Sequence, residues 1–332
     1  MKMKKITDIK NQRVLYIATK NRDYLRITQE LRILRENGNK VTEIVSADKS
    51  YPKRLMYVFR KLMSVKMSDY DVSFVGFAPQ LIMPFFNHKL GKKPLAMDFF
   101  ISVYDTMCFD RKKFRPKSLA GKFCKWLDKK TLERADLAVC DTKAHGRYFC
   151  KEFGFAPEKM SVLYLEADKS IYYPRKTEKN KDFTVLYFGS ILPLQGVSVI
   201  LDAIDLLKDE KNLKFVIIGP LGENGRRDSK ITEYYEWLSQ EELAEKIAQA
   251  DLCLGGHFDG SIMKAKRTIA GKTYIYKAME KPMILGENPA NHELFSEQDK
   301  DVWFVEMGNP QKLAELITDI KNKREVCDEE SN

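Results

Sequence analysis

Short apolar runs of five to seven residues recur along the chain, and between them the apolar positions fall three and four apart. The first half places such runs at VLYIA (14–18), KVTEIVS (40–46), DVSFV (71–75), PLAMDFF (94–100), LAVCD (137–141) and SVLYL (161–165). The second half restarts the series with FTVLYFG (183–189), LKFVIIG (213–219), DLCLG (251–255), PMILG (282–286) and VWFVE (302–306). Helical spacing fills the gaps, for example over residues 22–37 ahead of Gly38, and in VSVILDAIDLLKD, EELAEKIAQA and KTYIYKAME. Strands alternating with helices predict parallel α/β architecture. Two such series predict two Rossmann-like, doubly wound domains, each with its ligand crevice at the carboxyl ends of its strands. The polar segment YYPRKTEKNKD (172–182) has neither period and reads as a linker. The expected organisation is an N-terminal domain over 1–171, a linker over 172–182 and a C-terminal domain over 183–332, with the last helix free to return to the N-terminal domain.

Composition narrows the class. The 332 residues are 44% hydrophobic and 31% charged, which sets aside disordered, collagen-like and coiled-coil chains and suits two buried cores. The most apolar stretch, FVGFAPQLIMPFF (74–86), carries Gln80 and two prolines and falls short of the roughly 20 residues a membrane span needs. The N-terminus MKMKKITDIKNQ has no apolar core of a signal peptide, so a cytoplasmic protein is expected. The cysteines at 108, 124, 140, 150, 253 and 327 form no CxxC pair and read as reduced thiols. The histidines at 88, 145, 257 and 292 lack HxxxH or HExxH spacing, so no metal is expected.

Charge adds a polarity that composition hides. Residues 1–165 hold 34 basic and 17 acidic side chains, whereas residues 166–332 hold 23 and 30. An anionic partner is therefore expected for the first half. On a helical wheel, YPKRLMYVFRKLMSVKM (51–67) puts Lys53, Arg54, Arg60 and Lys61 on one arc. Leu55, Met56, Val58, Phe59, Leu62, Met63 and Val65 fall on the other. Such a helix suits an anionic membrane surface on the inner face of the plasma membrane, or simply the flank of a sheet. The segment 111–130 adds nine basic residues. No helix-turn-helix, RRM, KH or zinc-finger signature accompanies them, so nucleic acid is not an expected partner.

Candidate chemistry concentrates in the second half. Gly189 opens a turn after a strand and Gly196 begins a helix, and free N–H groups at such a helix start attract anions. VIIGPLGENG (216–225) repeats the arrangement. In the stretch 251–286 the basic residues Lys264, Lys266, Arg267 and Lys272 lead into the helix KTYIYKAME. Cations there oppose the helix dipole, a conflict that a bound diphosphate would remove. In the first half Asp98 ends a strand, with Asp105 and Asp110 after it. Asp98 can meet an acceptor hydroxyl, or merely cap a turn.

These segments together resemble the retaining GT-B glycosyltransferases of the family-four type. The likeness rests on GSILPLQG, VIIGP, LAEKIAQADLCL and KAKRTIAGKTYIYKAMEKPMIL, with MDFFISVYDT, ERADLAVCDT and YLEADKSIYYP in the first half, over roughly residues 94–295. It is most similar to a subgroup with a PLxG turn and a KAxRxxxxK run. The resemblance implies a nucleotide-diphosphate sugar donor held by the C-terminal domain, and a glycan or lipid-linked acceptor of cell-surface polysaccharide synthesis held by the N-terminal domain. It also implies front-face attack assisted by the donor phosphate, with neither metal nor other cofactor. The site residues so implied are Gly189, Ser190, Gln195, Gly196, Lys264, Arg267, Lys272 and Tyr274 on the nucleotide and diphosphate. His257 and Glu293 would serve the sugar, and Asp98 and Asp105 the chemistry. Ser190 and Gln195 stand where many members carry Arg and Lys. Arg267 and Ile275 replace a pair of glutamates, and ATKNRDY replaces a glycine pair after the first strand. These departures keep open a catalytically inactive scaffold and a sugar-nucleotide epimerase of the same architecture.

Overall fold

The computed structural model describes residues 3–178 and 180–329. The chain divides into two compact units between Glu166 and Ala167. In the first, β1 (Arg13–Ile17), β2 (Lys40–Ile44), β3 (Val72–Val75), β4 (Leu95–Asp98), β5 (Leu137–Cys140) and β6 (Met160–Val162) form one parallel sheet in the order β2-β1-β3-β4-β5-β6. Its central strands are buried on both faces, which is why they read as continuous apolar runs. On one face α1 (Leu25–Glu36) packs Ile27, Leu31 and Leu34 on Val14, Tyr16, Phe74 and Val139.

The opposite face carries the remaining helices: α2 (Tyr51–Ser64), α3 (Met83–Leu90), the single turn α4 (Val103–Asp105), α5 (Leu119–Leu132) and α6 (Lys143–Phe153). Their inward residues, Val58, Leu62, Phe86, Tyr104, Cys124 and Phe149 among them, share one core with Leu15, Val75 and Met97. Alternation along each strand sends successive side chains to the two layers.

The second unit repeats the plan with a different order. Strands β7 (Phe183–Phe188), β8 (Leu213–Ile218), β9 (Thr232–Tyr235), β10 (Leu252–Gly256), β11 (Met283–Gly286) and β12 (Val302–Val305) lie parallel as β12-β11-β10-β7-β8-β9. Helices α7 (Val197–Leu206) and α10 (Pro310–Glu329) cover one face through Ile200, Ile204, Leu313 and Ile317, and α10 lies against α7. Helices α8 (Gln240–Gln249) and α9 (Gly271–Ala278) cover the other through Ala244, Ile247, Tyr276 and Met279. The strand order reverses beside β7, between β8 and β10, and this places the crevice of the sheet at the turns that follow β7 and β10.

Strand β9 is absent from the sequence pattern. TEYY sits at the sheet edge with all four residues half-buried, so no apolar run marks it. The described residues of the segment 172–182 belong to the second unit. Tyr172 is buried in its core, and Thr177 and Asn180 donate to the carbonyls of Ala248 (3.3 Å) and Gln249 (2.7 Å). No helix of the described residues is long and apolar enough to cross a membrane.

One buried carboxylate organises the helical face of the first unit. Asp128 of α5 accepts from Ser102 Oγ (2.6 Å), the N–H groups of Tyr104 (2.8 Å) and Val103 (3.1 Å), and Gln80 Nε2 (2.8 Å). It thereby satisfies the open N-terminus of α4 and ties it to α5. Replacing Asp128 by Ala strands four donors in a buried site, and urea unfolding should show a loss of about 3 kcal/mol.

Candidate active site

The turn after β7 is shaped by contacts that leave no room for side chains. Gly196 adopts φ +67°, and a Cβ there would lie 2.5 Å from the amide nitrogen of Asp259. The same approach lets Phe258 N–H donate to the carbonyl of Gln195 at 3.2 Å, joining the turn after β7 to the loop after β10. Gly189 sits at φ +146°, and its missing Cβ leaves the space beside the Lys272 side chain, whose Cε would otherwise be 3.0 Å away.

Lys272 occupies this junction. It belongs to the first turn of α9, whose N-cap residue, Ala270, offers no side-chain acceptor to the N–H groups there. The residue is 5% exposed. Its ammonium donates to Gln195 Oε1 and stands 4.7 Å from the centroid of the Tyr187 ring. Burial pushes it down to about 7, with no opposing contribution from a carboxylate. Thr273 anchors the same turn of the helix by donating to the carbonyl of Gly255 at 3.2 Å. The outcome is a positively biased cradle: a buried amine, a helix N-terminus and a glycine turn converge where a doubly wound sheet holds its ligand.

The other expected donor residues spread around this junction. Ser190 is exposed, and its carbonyl lies 3.5 Å from the Tyr187 hydroxyl. Lys264 and Arg267 are half-buried in the turn ahead of α9, where Arg267 N–H donates to the carbonyl of Lys264 at 2.9 Å. His257 is 3% exposed, and its Nδ1 lies 3.4 Å from both the Ala265 carbonyl and Thr268 Oγ1. The imidazole thus pins the basic turn onto the end of β10. Tyr274 is buried in α9. Glu293, half-buried, ends the turn Asn291–Glu293 beyond β11. That turn is fixed by Asn288 and Asn291, both buried, which bond backbone groups of residues 286–291.

In the first unit Asp98 ends β4 but does not stand open to an acceptor. It is fully buried, and Arg26 Nη2 donates to its Oδ1 at 2.8 Å. Arg26 also lies 3.3 Å from Glu30, whose Oε2 accepts from the Tyr16 hydroxyl at 2.5 Å. Burial, with Asp98 nearby, raises the Glu30 carboxyl well above its ordinary value. Further Arg26 bonds reach the carbonyls of Leu163 and Cys140. The carboxylate expected to meet substrate is therefore committed to an ion-pair network that closes the carboxyl end of the sheet. Asp105 is likewise 1% exposed, in the turn α4 that Ser102 caps.

Comparison with known proteins agrees with the architecture. A solved structure of Anabaena HepE in complex with UDP-glucose superposes with a TM-score of 0.63 at 14% identity, covering 94% of this chain and 91% of that one. Sucrose-phosphate synthase from Thermosynechococcus elongatus gives a TM-score of 0.63 at 10% identity, covering 93% and 89%. The fold is GT-B. In sequence, the chain is similar to an MMP alpha-(1->4)-mannosyltransferase of Mycolicibacterium hassiacum, 26% identical over 180 residues. That match takes in 50% of this chain and 44% of the relative, less than half of its length. No family model matches the chain.

Sequence reasoning named Lys272 and Gln195 without foreseeing that they bond to each other, and it missed Tyr187, Asp128 and Arg26. Tyr187 lies inside an apolar strand, where an aromatic reads as core. Arg26 sits on a helix among several other arginines, and no local pattern separates the buried one from its neighbours.

The state of Lys272 has a thermodynamic signature. An unfolded chain binds its proton up to the ordinary value of 10.5, whereas the folded one releases it near 7. Between these values the unfolded state holds more protons, so stability rises with pH, and below about 7 the contribution is constant. The unfolding free energy of wild type minus that of Lys272→Met should rise between pH 7.5 and 9.5 by up to about 1.4 kcal/mol per unit. A pH-independent difference would show that the ammonium is not desolvated.

Proposed function

We propose that the protein is a retaining glycosyltransferase. It moves a sugar from a nucleotide-diphosphate donor to a hydroxyl of a cell-surface polysaccharide or lipid-linked glycan precursor, on the cytoplasmic side. The observation that carries this reading is the desolvated Lys272 in the first turn of α9 beside the glycine turn after β7. A buried amine with no carboxylate to balance it among the described residues is an incomplete arrangement, and a diphosphate would complete it. The mannosyltransferase relative and the UDP-glucose complex of a neighbour of the same fold support the donor class.

In this reading the anomeric carbon–oxygen bond to the donor phosphate breaks while the acceptor oxygen forms its bond on the same face. The acceptor proton passes to the departing phosphate oxygen. Negative charge grows on the diphosphate as it leaves, so cations fixed around it act mainly in the transition state. Lys272 and the α9 N–H groups supply that charge, with Lys264 and Arg267 from the turn before it. Gly189, Ser190, Gln195 and Gly196 offer the close backbone approach. Tyr274 belongs to the same helix, and Glu293 lies on the turn beyond β11 where the sugar would rest. His257 serves by holding the basic turn in place. No metal enters the scheme. Asp98 and Asp105 act through the fold rather than on substrate.

A thermal-shift panel of UDP, GDP, CDP, ADP and their sugar conjugates tests the donor class. Ligand at a hundred times its dissociation constant should add about 2.7 kcal/mol of stability. Binding should also take up a proton between pH 7 and 9 as the anion recharges Lys272, read as a buffer-dependent heat by calorimetry. Turnover in Arg267→Ala and in Lys272→Ala should fall at least about 100-fold with the fold intact. Wild-type turnover in both would overturn the assignment of this site. The second reading, a glycosyltransferase-like scaffold without catalysis, is favoured by Gln195 already holding the Lys272 amine and by Ile275 in place of a glutamate. It predicts no shift with any diphosphate.

A further inference from the structure

The layer formed by α2, α3 and α5 on the first unit is apolar on both sides. Its inner side fills the core. Its outer side exposes Met56 (60%), Met63 (66%), Phe85 (71%), Leu119 (87%), Phe123 (58%) and Trp126 (52%). Met56 and Met63 lie two turns apart on α2, and Leu119, Phe123 and Trp126 are spaced by four and three on α5, so each set shares a helix face. The helices are continuous with one another. Phe59 of α2 meets Phe85 of α3 at 5.2 Å between ring centroids, and Lys89 of α3 donates to the last carbonyls of α2 at Leu62 (2.7 Å) and Met63 (2.8 Å). Gln80, just before α3, bonds Asp128 of α5. Phe123 and Trp126 stack on each other at 5.7 Å.

The charge on these segments has one sign. Residues 50–68 contain five Lys or Arg and no acidic residue, and residues 111–127 contain seven and none. Arg54 turns inward and bonds the carbonyls of Asp48 (2.6 Å) and Lys49 (2.9 Å), leaving the other four of the first group at the surface. Large apolar side chains interleaved with lysines match a bilayer interface, where the apolar groups enter the acyl boundary and the cations remain among anionic headgroups. The apolar centre of a protein–protein interface is instead depleted in lysine. We propose that this outer face docks the protein on an anionic lipid bilayer, with Leu119, Phe123 and Trp126 of α5 inserted. The proposal does not depend on the transfer reaction, because its tests read binding alone.

Flotation of the full chain with vesicles of phosphatidylcholine, with and without about 30% phosphatidylglycerol, tests it. Binding should require the anionic lipid. In Leu119→Ser/Phe123→Ser/Trp126→Ser it should weaken at least tenfold, with an unchanged thermal midpoint because all three are exposed. Trp126 fluorescence should shift to the blue on vesicles and be quenched by brominated acyl chains, a signal that Trp126→Phe abolishes. No flotation at 50 mM salt would overturn the proposal. So would flotation that the triple variant leaves intact, which would mean adsorption by charge alone. It would also fail if the variant altered only self-association in sedimentation velocity or only binding to a single-stranded oligonucleotide, since the face would then belong to a second copy or to nucleic acid.

Discussion

A buried lysine with no carboxylate beside it among the described residues is the constraint around which the second unit is arranged. Lys272 is packed against the Tyr187 ring, Gln195 and the space left by Gly189, and this burial pushes its amine down to about 7. Each neighbour is dictated by that packing. A side chain at residue 189 would press on the amine, and one at 196 would separate the two loops that define the crevice. Burying an amine in this way lowers stability, a cost that an anion beside it would offset in the proposed reading.

The first unit shows the alternative resolution of the same problem. Arg26 is as deeply buried as Lys272, at the corresponding carboxyl edge of a parallel sheet, but Asp98 pairs with it and keeps its guanidinium charged. With its partners inside the protein, that edge is internally satisfied. Two sheets of similar plan thus end differently, one with a buried ion pair and one with a buried lysine held by Gln195 and accompanied by no carboxylate among the described residues. The outer helical layer of the first unit carries a third unbalanced feature, apolar side chains and lysines that solvent alone does not explain.

Most of the architecture was legible because doubly buried parallel strands announce themselves. All eleven apolar runs became strands, with ends shifted by at most three residues. The exception, β9, shows the limit of that signal: an edge strand, half-buried throughout, has nothing to alternate. Helix α2 shows another. Its wheel assigned Arg54 to the wet face and Met56 and Met63 to the dry one, whereas Arg54 is buried against backbone carbonyls and both methionines are exposed. Burial follows from which neighbours arrive, and a wheel contains no neighbours.

Taken alone, the sequence determined the two parallel sheets, the positions of the glycine turns and the excess of basic residues over the first half, because strand period, turn chemistry and charge are local properties. Only the tertiary structure decided which of the charged residues are balanced. Asp98 met Arg26 from a helix 72 residues away, and Lys272 met Gln195 across 77. The energy of a buried charge is set by the groups within a few ångströms of it. Those groups come from distant strands and turns, so no pattern read along the chain reports them.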